Sequence, residues 1–176
     1  MKLLISLLLG LLPILSICQS TTELDNKFGY KDLKFDMPFD TITKKSKARK
    51  ISFEKEPFVY YEIRNTEYKS FASHVATIYL VQYKVDSSLY AFLFYFDKKD
   101  KTEFTDLIVL FTSLYGEPTE KDVYSYIYNW KGSLCEITLK YDYLKESTTM
   151  ELISNEVLNK IDAANKKKID KVKKEF

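Results

Sequence analysis

Apolar side chains recur at every second position along several stretches of the chain, which is the pattern of a β-strand with one buried face. Aromatic and β-branched residues, which strands favour, are frequent in these stretches. The pattern predicts strands over 33–36, 58–63, 74–85, 89–96, 123–130, 133–143 and 148–153. Turn residues at Asp86, Ser87 and Ser88 join two of these stretches, so 74–85 and 89–96 are expected to form an antiparallel hairpin.

A helical spacing of apolar residues, every three or four positions, occurs over 101–115. Asp100 and Glu103 have the spacing of an N-terminal capping box at the start of this stretch. Gly116 then supplies a C-terminal cap, and Pro118 prevents the helix from continuing. The sequence therefore predicts one amphipathic helix whose apolar stripe packs on a face of the sheet.

A second helix is predicted at the C-terminus, beginning near Ser154 or Asn155. Its end, 160–176, contains seven lysines and three acidic residues around a narrow apolar seam. Together the elements predict an α+β fold. We expect a mainly antiparallel sheet of about six strands, with one amphipathic helix packed on a face and a C-terminal helix.

The first 18 residues have the features of a secretory signal peptide. The apolar run over 3–17 is shorter than the about 20 residues that a membrane span needs. Ser16 and Cys18 are the small residues expected before a cut after Cys18. An alternative is that Leu15-Ser16-Ile17-Cys18 is a bacterial lipobox with Cys18 as the lipidated residue, although Ile17 stands where that pattern has Gly, Ala or Ser. An uncleaved anchor is the third possibility.

This interpretation divides the chain into four parts: a signal peptide (1–18), a flexible N-terminal segment (19–27), a single α+β domain (28–159) and the lysine-rich helix end (160–176). It predicts an exported protein, either periplasmic or secreted. Lipidation would instead anchor the protein to the envelope. Membrane contact is expected only through a lipid on Cys18 or through the lysine-rich helix.

The composition excludes several kinds of chemistry. A single histidine, His74, cannot form a multi-histidine metal site, and four scattered glycines provide no phosphate-binding loop. Lys and Arg number 27 against 25 Asp and Glu, a balance that does not favour nucleic-acid binding. Alternation predicts that Cys135 is buried and unreactive. No catalytic constellation is found, so we expect no cofactor, no metal and no enzymatic activity.

The aromatic residues are the most informative side chains for function. Tyr124, Tyr126, Tyr128 and Trp130 alternate along the predicted strand 123–130, so all four are expected on one face. Such a face is either part of the core or a partly exposed platform for a ligand or a protein partner. Both interpretations remain open from the sequence.

Several short motifs carry a resemblance to known exported domains. They are Phe35-Asp36-Met37, the helix end Leu114-Tyr115-Gly116-Glu117-Pro118, Trp130 at a strand end and the strand Ile137-Thr138-Leu139. Over about 28–153 the chain resembles small exported bacterial α+β domains of the β-lactamase-inhibitory-protein-like and small outer-membrane-assembly lipoprotein kinds. This resemblance implies a non-catalytic, protein-binding module of the cell envelope.

The leading functional prediction is therefore a non-enzymatic extracytoplasmic binding module for a protein partner. The alternative is carbohydrate or small-ligand binding through the aromatic strand face. A third hypothesis, a hydrolase that uses carboxylates, requires two acids across a cleft, and the sequence indicates no such cleft. The oligomeric state is not determined by these patterns.

Overall fold

The computed structural model describes residues 23–96 and 101–175. The predicted signal peptide, Cys18 and the predicted capping residue Asp100 lie outside the described residues. The strands are β1 (Gly29–Tyr30), β2 (Leu33–Lys34), β3 (Arg49–Lys55), β4 (Phe58–Glu62), β5 (Ser70–Phe71), β6 (His74–Tyr83), β7 (Ser88–Phe96), β8 (Glu120–Asp122), β9 (Ile127–Lys131), β10 (Cys135–Asp142) and β11 (Ser147–Ser154). The helices are α1 (23–27), α2 (Phe39–Ser46), α3 (Thr102–Tyr115) and α4 (Asn155–Glu175), with a 3₁₀ turn at Thr66–Tyr68.

Nine strands form one large sheet in the order β3-β4-β6-β7-β11-β10-β9-β8, and β5 pairs with the start of β6. All of these pairs are antiparallel. The predicted α+β class with a mainly antiparallel sheet is confirmed. The predicted count of about six strands is too low.

Two of the additional strands, β3 and β8, show little of the apolar alternation on which the prediction depended. Four of the seven residues of β3 are charged, and all three residues of β8 are charged. Each is held by backbone pairing to one neighbour, β4 and β9 respectively. Both lie at the edges of the sheet, where charged side chains discourage pairing with a second molecule.

The inner face of the sheet, defined here as the face under α3, contains the main core. Alternating residues of the central strands are buried there, including Phe92, Phe94, Leu139, Met150 and Leu152. The helix α3 adds Phe104, Leu107, Phe111 and Tyr115. Its bounds confirm the predicted helix at 101–115, and its stripe packs on the sheet as expected.

The opposite, outer face has a smaller apolar cluster, formed by Val81, Ala91 and Ile153 with Leu158 of α4 packed against it. The predicted C-terminal helix is present, but only its first part covers the sheet. From 165 to 173 every residue is exposed. The lysines of this segment are therefore in solvent.

Residues 19–27 were expected to form a flexible segment, but residues 23–27 are helical. Leu24 is buried in the main core. The Asp25 carboxylate accepts hydrogen bonds from the backbone N–H of Ser133 at 3.0 Å and of Leu134 at 2.8 Å. A Cβ on Gly132 would lie 2.3 Å from Asp25 Oδ1, so this approach requires glycine. These contacts, which span more than 100 positions of sequence, fix α1 to the turn between β9 and β10.

Candidate binding site

The predicted aromatic row does not lie on one continuous strand. The structure has two short strands, β8 and β9, separated by a turn over 123–126. Tyr124 is at the centre of this turn and is 97% exposed, whereas Trp130 is 1% exposed in the core. The prediction that all four rings share one strand face is therefore wrong. The prediction failed because the tyrosines keep alternating in the sequence through a turn, and Asp122, just before this turn, determines its shape.

The other rings of the row pack under α3. Tyr126 and Tyr128 contact Phe104, with ring centroids 6.3 Å and 5.7 Å apart. Trp130 contacts Phe111 at 5.3 Å. Its indole N–H donates a hydrogen bond to the carbonyl of Gly116 at 3.0 Å, which satisfies the polar atom of a buried ring. Trp130 thus offers no free ring face to a ligand, while Tyr126 and Tyr128 remain half-buried.

The turn between β8 and β9 is closed by its own aspartate. Asp122 Oδ1 accepts hydrogen bonds from the backbone N–H groups of Tyr124 at 3.0 Å and Ser125 at 3.1 Å. Hydrogen bonds from Ser125 and Tyr124 lower the pKa of Asp122, which keeps it an ionised acceptor. Tyr126 ends the turn with a φ of 51°, a left-handed conformation that is uncommon outside glycine.

The turn between β10 and β11 repeats this geometry. Asp142 Oδ1 accepts hydrogen bonds from the backbone N–H groups of Leu144 at 3.0 Å and Lys145 at 3.1 Å. Glu146 occupies the left-handed position with a φ of 49°. Both turns are thus fixed by side chain to backbone hydrogen bonds inside the loop.

The two turns are neighbours at the same end of the sheet, because β9 pairs with β10. The backbone N–H of Tyr141 donates to the carbonyl of Tyr126 at 3.1 Å, which extends this pairing to the base of the first turn. Residues of both turns line a shallow depression of about 660 Å³. The turns therefore form one continuous surface.

Large apolar side chains occupy the exposed positions of both turns. Val123 is 54% exposed, Tyr124 97%, Tyr143 67% and Leu144 95%. Hairpin turns usually carry polar residues and glycine at such positions. We call these four residues together with Tyr126 the tip surface.

A lysine lies within the aromatic part of the tip surface. Lys101 Nζ is 3.9 Å from the ring centroid of Tyr126, 5.4 Å from that of Tyr141 and 5.3 Å from that of Tyr143. These distances are within the range of cation–π attraction. Lys101 thereby links α3 to both turns and holds the tyrosine rings together.

His74 lies between two carboxylates. Its Nδ1 is 3.5 Å from Glu103 Oε1, and its Nε2 is 3.8 Å from Asp106 Oδ2. Both carboxylates belong to the first turns of α3, so these contacts connect the start of β6 to that helix. This arrangement supports a structural role for His74.

Cys135 is fully buried, as alternation predicts. Burial raises the pKa of its thiol to about 12, so the reactive thiolate is not formed near neutral pH. Within 23–96 and 101–175, no three His, Cys, Asp or Glu side chains are grouped so as to hold a metal ion. None of the helices in these same ranges combines the length and hydropathy that crossing a membrane requires.

Sequence reasoning missed Tyr143, Leu144, Val123 and Lys101 as candidate site residues. A signal for the first three was present: an aspartate followed directly by two large apolar residues, once at Asp122 and again at Asp142. The position of Lys101 depends on tertiary packing and has no sequence signal. A scan against protein-family models found no match to this chain, and neither did searches of curated proteins and of solved structures.

Proposed function

We propose that this protein is a non-enzymatic extracytoplasmic binding module that recognises a protein partner through the tip surface. The observation that supports this proposal most is the exposure of four large apolar side chains on two adjacent turns. Exposed apolar groups gathered at one place are characteristic of interaction sites. The export component of the proposal is supported by the apolar sequence over 3–17.

The chemistry of the tip surface favours a protein over other partners. Tyrosine is enriched in protein-binding surfaces because it provides a large contact area with few rotatable bonds. The turns are fixed by Asp122 and Asp142 within each loop, so little backbone entropy is lost on binding. The charged residues Lys145 and Glu146 follow Leu144 in the same turn and are exposed, and charged groups beside an apolar centre are typical of the rim of a protein interface.

Carbohydrate binding remains the alternative proposal. Tyr124 and Tyr126 line the depression between the turns, together with the polar groups of Lys140 and Asp142. A sugar ring stacks on a tyrosine face while its hydroxyl groups bond to such neighbours. Because Trp130 is buried, its fluorescence is not a direct reporter of this event.

Site-specific photocrosslinking in the native host tests the leading proposal. A photoreactive phenylalanine analogue replaces Tyr124 in one variant and Tyr143 in another. Val85, which is 74% exposed in the turn between β6 and β7, provides the matched control at the opposite end of the sheet. We expect the two tip variants to yield adducts of the same mass, containing the same second protein, and the Val85 variant to yield none.

A second substitution in the same chain provides the specificity control. Leu144→Asp places a charge at the centre of the tip surface, and it should abolish the adduct formed from position 124 at unchanged expression. Equal crosslinking from position 85, or adducts that persist with Leu144→Asp, would contradict the proposal. Binding to a glycan array that is lost on Tyr124→Ser, with no protein adduct, would support the carbohydrate alternative.

A further inference from the structure

We infer that a second, separate pocket of this protein binds an amphipathic anion with a single aliphatic chain, such as a fatty-acid carboxylate. The pocket has a volume of about 560 Å³ and lies between α3, the inner face of the sheet and the β1–β2 hairpin. This volume is within the range of about 300–1,000 Å³ that is typical of small-molecule sites. This inference does not depend on the tip surface.

The walls and floor of the pocket are apolar. Leu110 and Leu114 of α3 form one wall, and Ile137, Met150 and Leu152 of the sheet form the floor. These floor residues are buried members of the main core. A saturated chain can contact them without leaving a buried polar group unsatisfied.

The rim of the pocket is basic. Lys27, Lys31 and Lys34 line it, and the described residues that line it include no carboxylate. Lys34 Nζ donates to the carbonyl of Lys27 at 3.1 Å, which places these two residues at the same part of the rim. Lys31 Nζ donates to the carbonyl of Glu67 and lies 5.5 Å from the ring centroid of Tyr30. Lys31 and Lys34 belong to the β1–β2 hairpin and Lys27 ends α1, so three basic residues from two adjoining elements line the pocket.

Two carboxylates near the hairpin are engaged elsewhere. Asp32 accepts hydrogen bonds from Tyr68 at 2.7 Å and from Lys45 at 3.0 Å. Asp25 is bound by the turn at Ser133. Among the described residues, none of the three rim lysines forms an ion pair with a carboxylate. Their positive charge is thus available to an incoming anion.

The combination determines the class of ligand. An apolar interior takes an aliphatic chain, and three lysines at the entrance take an anionic head group. The backbone that carries Lys31 and Lys34 is well defined. Gly29 has a φ of 149°, and a Cβ there would lie 2.2 Å from the carbonyl oxygen of Leu33, so the tight β1–β2 hairpin requires glycine.

Calorimetric titration of the purified protein with saturated carboxylates tests the inference. Octanoate, decanoate and laurate are compared at low ionic strength and below their micellar concentrations. The affinity should increase roughly fourfold for each added CH₂ group, because each group buries more apolar area. Laurate should bind about tenfold more tightly than dodecanol, which has the same chain without the charge. Dodecyl phosphate should also bind more tightly than dodecanol, because the lysines at the rim attract its anionic head group.

Two variants and a matched control locate the site. Leu114→Trp narrows the pocket at a half-exposed position and should weaken laurate binding more than tenfold. Val109→Trp is the control, because Val109 lies on the same helix, is 65% exposed and does not line the pocket. Lys27→Glu should weaken laurate binding while leaving dodecanol binding unchanged, and Lys166→Glu on the exposed end of α4 should affect neither.

The inference would be overturned by three results. They are equal affinity for laurate and dodecanol, an equal effect of Leu114→Trp and Val109→Trp, or no measurable binding of laurate by correctly folded protein. Circular dichroism and thermal unfolding of each variant establish correct folding. Retained structure with lost binding in Leu114→Trp supports the site.

Discussion

The inner face of the sheet and the tip surface contain the same kinds of side chain in opposite environments. Under α3, rings such as Phe111 and Trp130 are enclosed by other rings and by the sheet. At the turns, Tyr124 and Leu144 are almost fully exposed. The helix α3 covers the first region. At the tip surface only Tyr126 packs against α3, through Phe104, and the other four side chains are exposed. Composition alone thus cannot separate buried aromatic residues from exposed ones.

The largest effect is expected from removing a buried ring on the inner face of the sheet. Phe111→Ala removes a ring that contacts Trp130, Phe71 and Tyr115 at centroid distances of 5.3 to 5.9 Å. The free energy of unfolding should decrease by about 3–5 kcal/mol, as for other buried phenylalanines. Urea denaturation followed by circular dichroism measures this change. A decrease below about 1 kcal/mol would contradict the description of this face as the main core.

A smaller effect is expected from alkaline pH. Burial raises the pKa of Tyr115 to about 12, against an ordinary value near 10. Because Tyr115 ionises first in the unfolded chain, its contribution to stability is complete below pH 10 and is lost as the pH increases from 10 to 12. Between pH 9 and pH 11 the free energy of unfolding should therefore decrease by about 1 kcal/mol less in Tyr115→Phe than in the unmodified protein. Urea denaturation at a series of pH values gives the free energy of unfolding of both proteins as a function of pH. An identical pH dependence in the two proteins would contradict the prediction.

The smallest effect is expected at the tip surface. Tyr124→Ser and Leu144→Ser remove exposed side chains whose turns are closed by Asp122 and Asp142. The free energy of unfolding should change by less than about 0.5 kcal/mol in each variant. The same urea experiment provides the measurement. A decrease of about 2 kcal/mol or more in the free energy of unfolding is of the order that truncating a buried side chain gives. Such a result would show that these residues support the fold, as the residues of the inner face do.

The sequence predicted the parts of the fold that have strong periodicity. The stripe of α3, the strands β6, β7, β10 and β11 and the helix α4 were all expected near their observed positions. The strands β3 and β8 were not expected, because charged residues occupy most of their positions and their strand conformation depends on pairing with a neighbour. Residues 23–27 were expected to be flexible because they are mostly polar. The contact between Asp25 and Ser133 that holds them spans more than 100 positions, so no local pattern indicates it.

The candidate sites were predictable to a smaller extent. Tyr124 and Tyr126 were identified as candidates, but their strand assignment was wrong because the Asp122 carboxylate accepts a hydrogen bond from the backbone N–H of Tyr124 and closes a turn there. The pocket under the β1–β2 hairpin was not predictable. Its rim residue Lys27 belongs to α1 and its wall residue Leu114 to α3, and they come together only because both helices pack against the core.

The closure of each turn by its own aspartate has a consequence for engineering. The side chains at positions 123, 124, 143 and 144 contribute little to the shape of their loops, because Asp122 and Asp142 accept the hydrogen bonds that close the turns. Randomising these four codons while keeping both aspartates should give a library in which most members fold. Selection from such a library would turn one end of this sheet into a display scaffold for new specificities.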